Sequence, residues 1–256
     1  MAHGETTLPT QMSEEALCAM LFDAGAISLR DVDGGEDPFK YSSGNFGPGY
    51  VDVKGTVGEQ AVFKPLVQQL GLKVIEEGVA FDFVAGNATG GMVPAYEFRE
   101  QYQDLTALLG EPKEVPYVYI RNSRKEGGLG EHVTGLKYIP PTQPDGSTTR
   151  GMVMEELVNY AATTTNSTVL LRNIGFEATH AATLLTYGHA ESEAKLADAG
   201  INLVALLRLE TLLDFAAADK RSSADAVASY REFLAGPAAW QEKRGIVPED
   251  MSGPHG

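Results

Sequence analysis

The feature that most constrains this chain is an order that recurs through its middle: a short apolar run, then a glycine-bearing or charged loop, then helical spacing. Residues 81–85, apolar but for Asp82, read as a short strand and run into Gly86-Asn87-Ala88-Thr89-Gly90-Gly91, with a helix predicted from Pro94. A second strand, 115–120, ends in a basic loop, and a third, 151–155, ends in carboxylates. There follow a helix-like stretch to Asn173, a strand over 178–185, a helix over 191–199, a strand over 202–207 and a helical C-terminus. Residues 60–77 add a helix ahead of the first strand. Parallel neighbours need crossover connections, and helices serve as those crossovers. The predicted fold class is therefore α/β, a mostly parallel sheet covered by helices on both faces.

The first residues read differently. Ser13 is an expected N-cap with Glu14 and Glu15 in the first turn, opening an amphipathic helix that ends near Gly25. Residues 39–54 mix turn residues with the alternating Tyr50, Val51, Asp52 and Val53, which predicts two short strands set apart from the parallel core. With 256 residues at 43% hydrophobic content, the chain can bury one sizeable core. The expected division is an N-terminal helix and hood over 1–58, a core over 59–215 and a helical tail over 216–256. The lone cysteine, Cys18, lies on the first helix and reads as a small buried hydrophobe.

Charge narrows the partners. With 35 acidic against 20 basic residues the net charge is −15, and such a surface repels the phosphates of bulk nucleic acid and of anionic lipid. Neither nucleic acid nor a membrane is an expected partner. Residues 1–11 lack a secretory pattern, so a soluble, cytoplasmic protein is expected. Against this acidic background Arg121, Arg124 and Lys125 stand together beside Gly127, Gly128 and Gly130. That composition suits a mobile lid over a phosphorylated ligand, or a solvated surface loop.

In parallel sheets ligands collect beyond the carboxyl ends of the strands, so the loops at 86–91, 121–130 and 155–164 are the places to read chemistry. Glu155 and Glu156 suit ribose hydroxyls or water-mediated Mg²⁺, or else an acidic helix start. The following Asn159-Tyr160-Ala161-Ala162-Thr163-Thr164-Thr165 offers hydroxyls and a helix N-terminus suited to phosphate. The 86–91 loop has glycines that let backbone amides approach a pyrophosphate, but it has neither GxGxxG spacing nor a P-loop lysine. The histidines show no metal-ligand spacing.

Together these segments resemble the orotate phosphoribosyltransferase family, of the type I phosphoribosyltransferase fold, from about residue 14 to residue 243. The resemblance is carried by residues 39–54, by Ala85 through Pro94, by Tyr119-Ile120-Arg121 through Lys125, Gly128, Gly130 and Gly135, by residues 155–188, and by residues 233–240. It implies transfer of ribose 5-phosphate from phosphoribosyl pyrophosphate (PRPP) to orotate, with Mg²⁺ bound mainly through PRPP and no direct protein metal ligand assigned. It also implies a homodimer in which Lys125 closes over the neighbouring subunit's site. Arg121 and Lys125 would be catalytic and would bind PRPP. Glu155 and Glu156 would hold the ribose hydroxyls, with Asn159, Tyr160, Thr163 and Thr164 at the 5′-phosphate. Gly86, Asn87, Ala88, Thr89 and Gly90 would form the pyrophosphate loop; Phe39, Ser42, Ser43, Gly44 and Tyr187 would meet the base. The chain departs from the family pattern at Gly127, where the family has histidine, at Glu156, where it has Asp, and at Tyr160-Ala161-Ala162, where it has a glycine-bearing turn. Gly127 and Tyr160-Ala161-Ala162 motivate one alternative, an inactive nucleotide-binding or regulatory relative; Tyr187 and the hood leave a second, transfer to a different base.

Overall fold

The computed structural model describes residues 8–41, 43–121 and 132–249. In chain order the elements are α1 (Glu14–Asp23), β1 (Ile27–Leu29), β2 (Phe39–Lys40), β3 (Phe46–Gly47), β4 (Gly49–Val51), α2 (Gln60–Glu76), β5 (Phe83–Asn87), α3 (Met92–Leu108) and β6 (Tyr117–Ile120). They continue with β7 (Val133–Thr134), β8 (Arg150–Val158), α4 (Ala162–Asn173), β9 (Glu177–Thr186), α5 (Ala190–Asp198), β10 (Asn202–Arg208), α6 (Leu209–Ala218), α7 (Ala224–Ala235) and α8 (Pro237–Lys243). They fall into two compact units, residues 8–13 with 57–210 and residues 14–56 with 211–249.

The larger unit is built on a six-stranded sheet in the order β10-β9-β8-β5-β6-β7. All neighbours are parallel except the short β7, which returns antiparallel to β6. The α/β fold expected from the alternation is what forms. Its core holds Phe83, Val118, Val153, Leu171, Phe176 and Ala181, all buried, with Phe83 edge-on to Phe176 at 5.1 Å. Helix α2 buries Phe63, Leu66, Val67, Leu70 and Val74, an apolar stripe at helical spacing.

One boundary matters for function. The third strand was expected to end at Glu155, yet β8 runs on to Val158 because β9 keeps pairing with it as far as Val158↔Thr186. Its last pair with β5 is Gly86↔Met154. Residues 155–158 therefore project past the β5 pairing with strand geometry intact, and adjacent side chains point to opposite faces of the sheet.

In the smaller unit, residues 39–51 form three short strands rather than two. Strand β4 pairs antiparallel with β1 (Ile27↔Val51), and β2 with β3 (Phe39↔Gly47). An aromatic cluster fills it: Trp240 is fully buried and meets Phe233 edge-on at 5.5 Å, while Tyr41 lies 5.9 Å from Phe233. Cys18 is buried, and burial, with Glu14 and Glu15 adding to it, pushes its thiol up to about 11. At that value the thiol stays protonated and acts as a packing group.

Candidate active site

The turns that leave β5 and β8 at their carboxyl ends meet around the two glutamates. Glu155 is buried, and its Oε1 accepts two hydrogen bonds, from Asn87 Nδ2 at 2.5 Å and from Thr163 Oγ1 at 3.0 Å. Asn87, also buried, in turn accepts from Ser167 Oγ at 2.5 Å. Burial pushes the Glu155 carboxyl up to about 7; Glu156 adds to the rise, and the Asn87 and Thr163 bonds oppose it. Glu156, next along the strand, lies instead over the α-carbon of Gly90, where its carboxylate occupies the space a side chain would need.

Beyond Val158 the chain makes a turn that begins α4. Ala161 sits at φ 56° in the left-handed region, and no side chain caps the helix, so the first-turn N–H groups of α4 have no capping side chain. The hydroxyls of Thr164 and Thr165 are buried without a protein partner among the described residues. Tyr160 does not fold into this turn: its ring lies flat on His189, 4.9 Å away and 12° from parallel, and the residue is 45% exposed. His189 Nε2 is 3.0 Å from Asn159 Oδ1, and Tyr187 stands edge-on to the same imidazole at 5.7 Å. Burial holds His189 below the usual histidine range, with Glu191 pulling the other way. Lys195 Nζ donates to the Tyr160 carbonyl at 3.1 Å. The arrangement puts amide donors and a cation beside carboxylate acceptors, which is what a phosphorylated sugar requires.

The glycine loop after β5 is held by packing. A side chain on Gly86 would meet the Gly91 carbonyl at 2.7 Å, and one on Gly91 would run into the Met154 carbonyl of β8. The Ala88–Thr89 peptide is cis, and Ala88 N donates to the Ile120 carbonyl at 2.8 Å. Arg121 leaves the end of β6 with its Nε and Nη2 on Thr134 Oγ1 at 3.1 and 2.9 Å.

No family model matches the chain. Among curated proteins, the orotate phosphoribosyltransferase of Jannaschia sp. is 27% identical over 248 residues, covering 94% of this chain and 97% of that protein. That of Listeria monocytogenes is 25% identical over 227 residues, covering 89% and 98%. Among solved structures, orotate phosphoribosyltransferase from Aeropyrum pernix superposes with a TM-score of 0.58 at 25% identity, over 81% of this chain and 99% of that one. The chain is thus similar to orotate phosphoribosyltransferases over nearly its whole length. Its sheet order and flanking helices are those of the type I phosphoribosyltransferase fold.

Of the residues singled out from the sequence, Asn87, Gly90, Glu155, Glu156, Asn159, Tyr160 and Thr163 come together at this edge of the sheet. Thr164 turns its hydroxyl inward and is only 1% exposed. Gly86 lies within β5, buried against α3. Tyr187 adjoins the phosphate turn through His189. In the smaller unit, Phe39 carries the Arg30 guanidinium 3.8 Å over its ring, Ser43 Oγ accepts from Asn45 Nδ2 at 3.1 Å, and the Gly44 carbonyl accepts from Glu249 N at 2.9 Å. Lys125, Gly127 and Ser42 lie outside the described residues. Sequence reasoning missed Ser167 and His189. The signal for His189 was its place immediately past the β9 end, on the side of the sheet where ligand loops gather. Ser167, mid-helix, carried none.

Proposed function

We propose that this protein transfers the 5-phosphoribosyl group of PRPP to orotate, releasing pyrophosphate and forming orotidine 5′-monophosphate. The observation that carries the reading is the uncapped N-terminus of α4 placed directly after two strand-borne carboxylates. Helix N–H groups there match a 5′-phosphate, and carboxylates match ribose hydroxyls. The similarity to orotate phosphoribosyltransferases over nearly their whole length supports the same substrate pair.

Displacing pyrophosphate builds positive charge on the sugar ring and negative charge on the departing group, so the protein's task is orientation and charge stabilisation. The N–H groups opening α4 anchor the phosphate, Glu155 Oε2 and Glu156 orient the ribose, and Arg121 with Lys125 neutralises the leaving group. Lys125 acts from a loop of the neighbouring subunit, in a homodimer. Magnesium, when bound, supplies charge neutralisation at the diphosphate. Among the described residues Glu155 keeps one carboxylate oxygen free of hydrogen bonds, so Glu155, with Glu156 beside it, would be placed to hold the waters of an ion bound mainly through PRPP. Loss of orotate absorbance on adding PRPP and Mg²⁺ tests the reading; folded protein without turnover rejects it.

A second reading, a nucleotide-binding relative without turnover, is favoured by Ala161 in a left-handed turn that glycine adopts more readily. Calorimetry that gives tight orotidine 5′-monophosphate binding by a protein without turnover selects it. Turnover with a panel of other pyrimidines and purines, and none with orotate, selects transfer to a different base.

A further inference from the structure

We propose that Asn87, held by Ser167, is a positioning residue for Glu155: it fixes one carboxylate oxygen so that the other is presented to a sugar hydroxyl. This rests on the reading of Glu155 as a ribose ligand and reassigns Asn87, which the sequence put in the pyrophosphate loop.

The geometry is directional. Ser167 Oγ, from the second turn of α4, has one proton to give and donates it to Asn87 Oδ1. The Glu155 carboxylate can only accept, so the amide turns its NH₂ toward it, where Nδ2 donates to Oε1, and Ser167 anchors the opposite end. Thr163 Oγ1 donates to the same oxygen. Glu155 Oε2 receives no hydrogen bond among the described residues and is not sealed off as a buried orphan. One oxygen is thus saturated from two elements, β5 and α4, and the other is left for a ligand. The carboxylate makes the arrangement one-way: reversed, the amide would set a carbonyl against it and push Glu155 out of place.

Three features make this more than packing. All of Asn87, Glu155 and Ser167 are buried, where an unmatched polar atom is costly. Asn87 is the last residue of β5, at the ligand edge of the sheet, so its side chain bridges the adjacent parallel strands at that edge. Among the described residues, the groups set around Glu155 from other elements are uncharged: Thr163 and Ser167 from α4, Asn87 from β5 and, in register on β9, Thr183. Among the described residues, Glu156 on its own strand is the one charged group acting on it. The two neutral donors are therefore what favours the carboxylate form there, against burial and Glu156.

The test uses Asn87→Leu, which keeps size and removes both bonds, and Ser167→Ala, which leaves Asn87 but frees its amide to turn. Carbon-13 NMR follows the Glu155 carboxyl across pH in ligand-free protein, and calorimetry follows PRPP with Mg²⁺. The expected result is titration of Glu155 at higher pH in both variants, by about one unit in Asn87→Leu, and PRPP affinity about tenfold weaker at pH 7, recovering as pH rises. If Asn87→Leu does not fold, Ser167→Ala alone decides, with a smaller shift of the same sign. An unmoved Glu155 titration overturns the proposal, even if melting temperature falls. A moved titration in a protein whose parent does not bind PRPP leaves the relay standing and rejects the ribose reading instead.

Discussion

Two turns in this molecule do the same topological job and are built in opposite ways. The 86–91 loop carries the chain from β5 to α3, and the 159–161 turn carries it from β8 to α4. The first holds three glycines, and the structure requires them at Gly86 and Gly91 because the loop lies against its own helix start and against the β8 backbone. The second holds no glycine, although Ala161 adopts a left-handed conformation that glycine accepts at less cost. Glycine here marks backbone crowding. The turn with uncapped helix amides and adjacent carboxylates, the one suited to an anion, is the turn without it.

The comparison breaks most visibly at Gly91. Gly91→Ala forces a methyl group into the Met154 carbonyl, and overpacking against backbone should cost roughly 3 kcal/mol or more, read as a lower denaturant midpoint. A midpoint equal to the parent's would mean the loop has room and the crowding argument is wrong.

Glu155→Gln should lower kcat/KM with PRPP by about 10²-fold, since it removes the charged partner of the sugar while keeping an acceptor for Asn87. The same variant tests a pH dependence. The folded carboxyl titrates near 7, above the ordinary 4.5, so the native state binds the extra proton between these values and stability falls as pH rises from about 4.5 to about 7. That loss is on the order of 3 kcal/mol, fully in place above pH 7. Denaturant melts at pH 5 and pH 8 should show it in the parent and not in Glu155→Gln; equal slopes in both would contradict the burial argument.

Gly90→Ala sharpens the contrast within one loop. The atoms its methyl group meets first are all at the end of the Glu156 side chain, which can swing aside, so stability should change by less than about 1 kcal/mol. PRPP affinity should nevertheless weaken about tenfold as Glu156 moves aside, because a charged acceptor leaves its partner. Unchanged affinity on calorimetry would separate Glu156 from the sugar.

Ala161→Gly gives the smallest effect. Relief of the left-handed cost, about 1–2 kcal/mol, is offset by about 0.5–1 kcal/mol of extra freedom in the unfolded chain. A net gain below about 1 kcal/mol should appear in chemical denaturation, and a loss instead would show that Ala161 packs its methyl group, which is buried, to real effect.

Legibility in the sequence followed the range of the interactions. Helix α2 was visible from its apolar stripe and β5 from the short apolar run Phe83-Val84-Ala85 ahead of its glycine loop, since each pattern lies within a few turns or residues. The end of β8 was not visible, because Glu155 and Glu156 look like a stop signal while the pairing that continues the strand comes from β9, some thirty residues later in sequence. The N-terminal strands were miscounted for the same reason: β4 finds its partner in β1 across a long polar loop and not in its neighbour.

Taken alone, the order of residues determined the parallel sheet with its covering helices and where its strand-end loops fall, because hydrophobic period and connection length are local quantities. Tertiary structure decided what those loops contain. It split the paired glutamates onto opposite faces, tied one to Asn87 and laid the other on Gly90, and turned Tyr160 onto His189. Such choices depend on which side chains from distant segments arrive at the same few ångströms, where burial and hydrogen-bond partners set charge and direction, and no run of neighbouring letters encodes that.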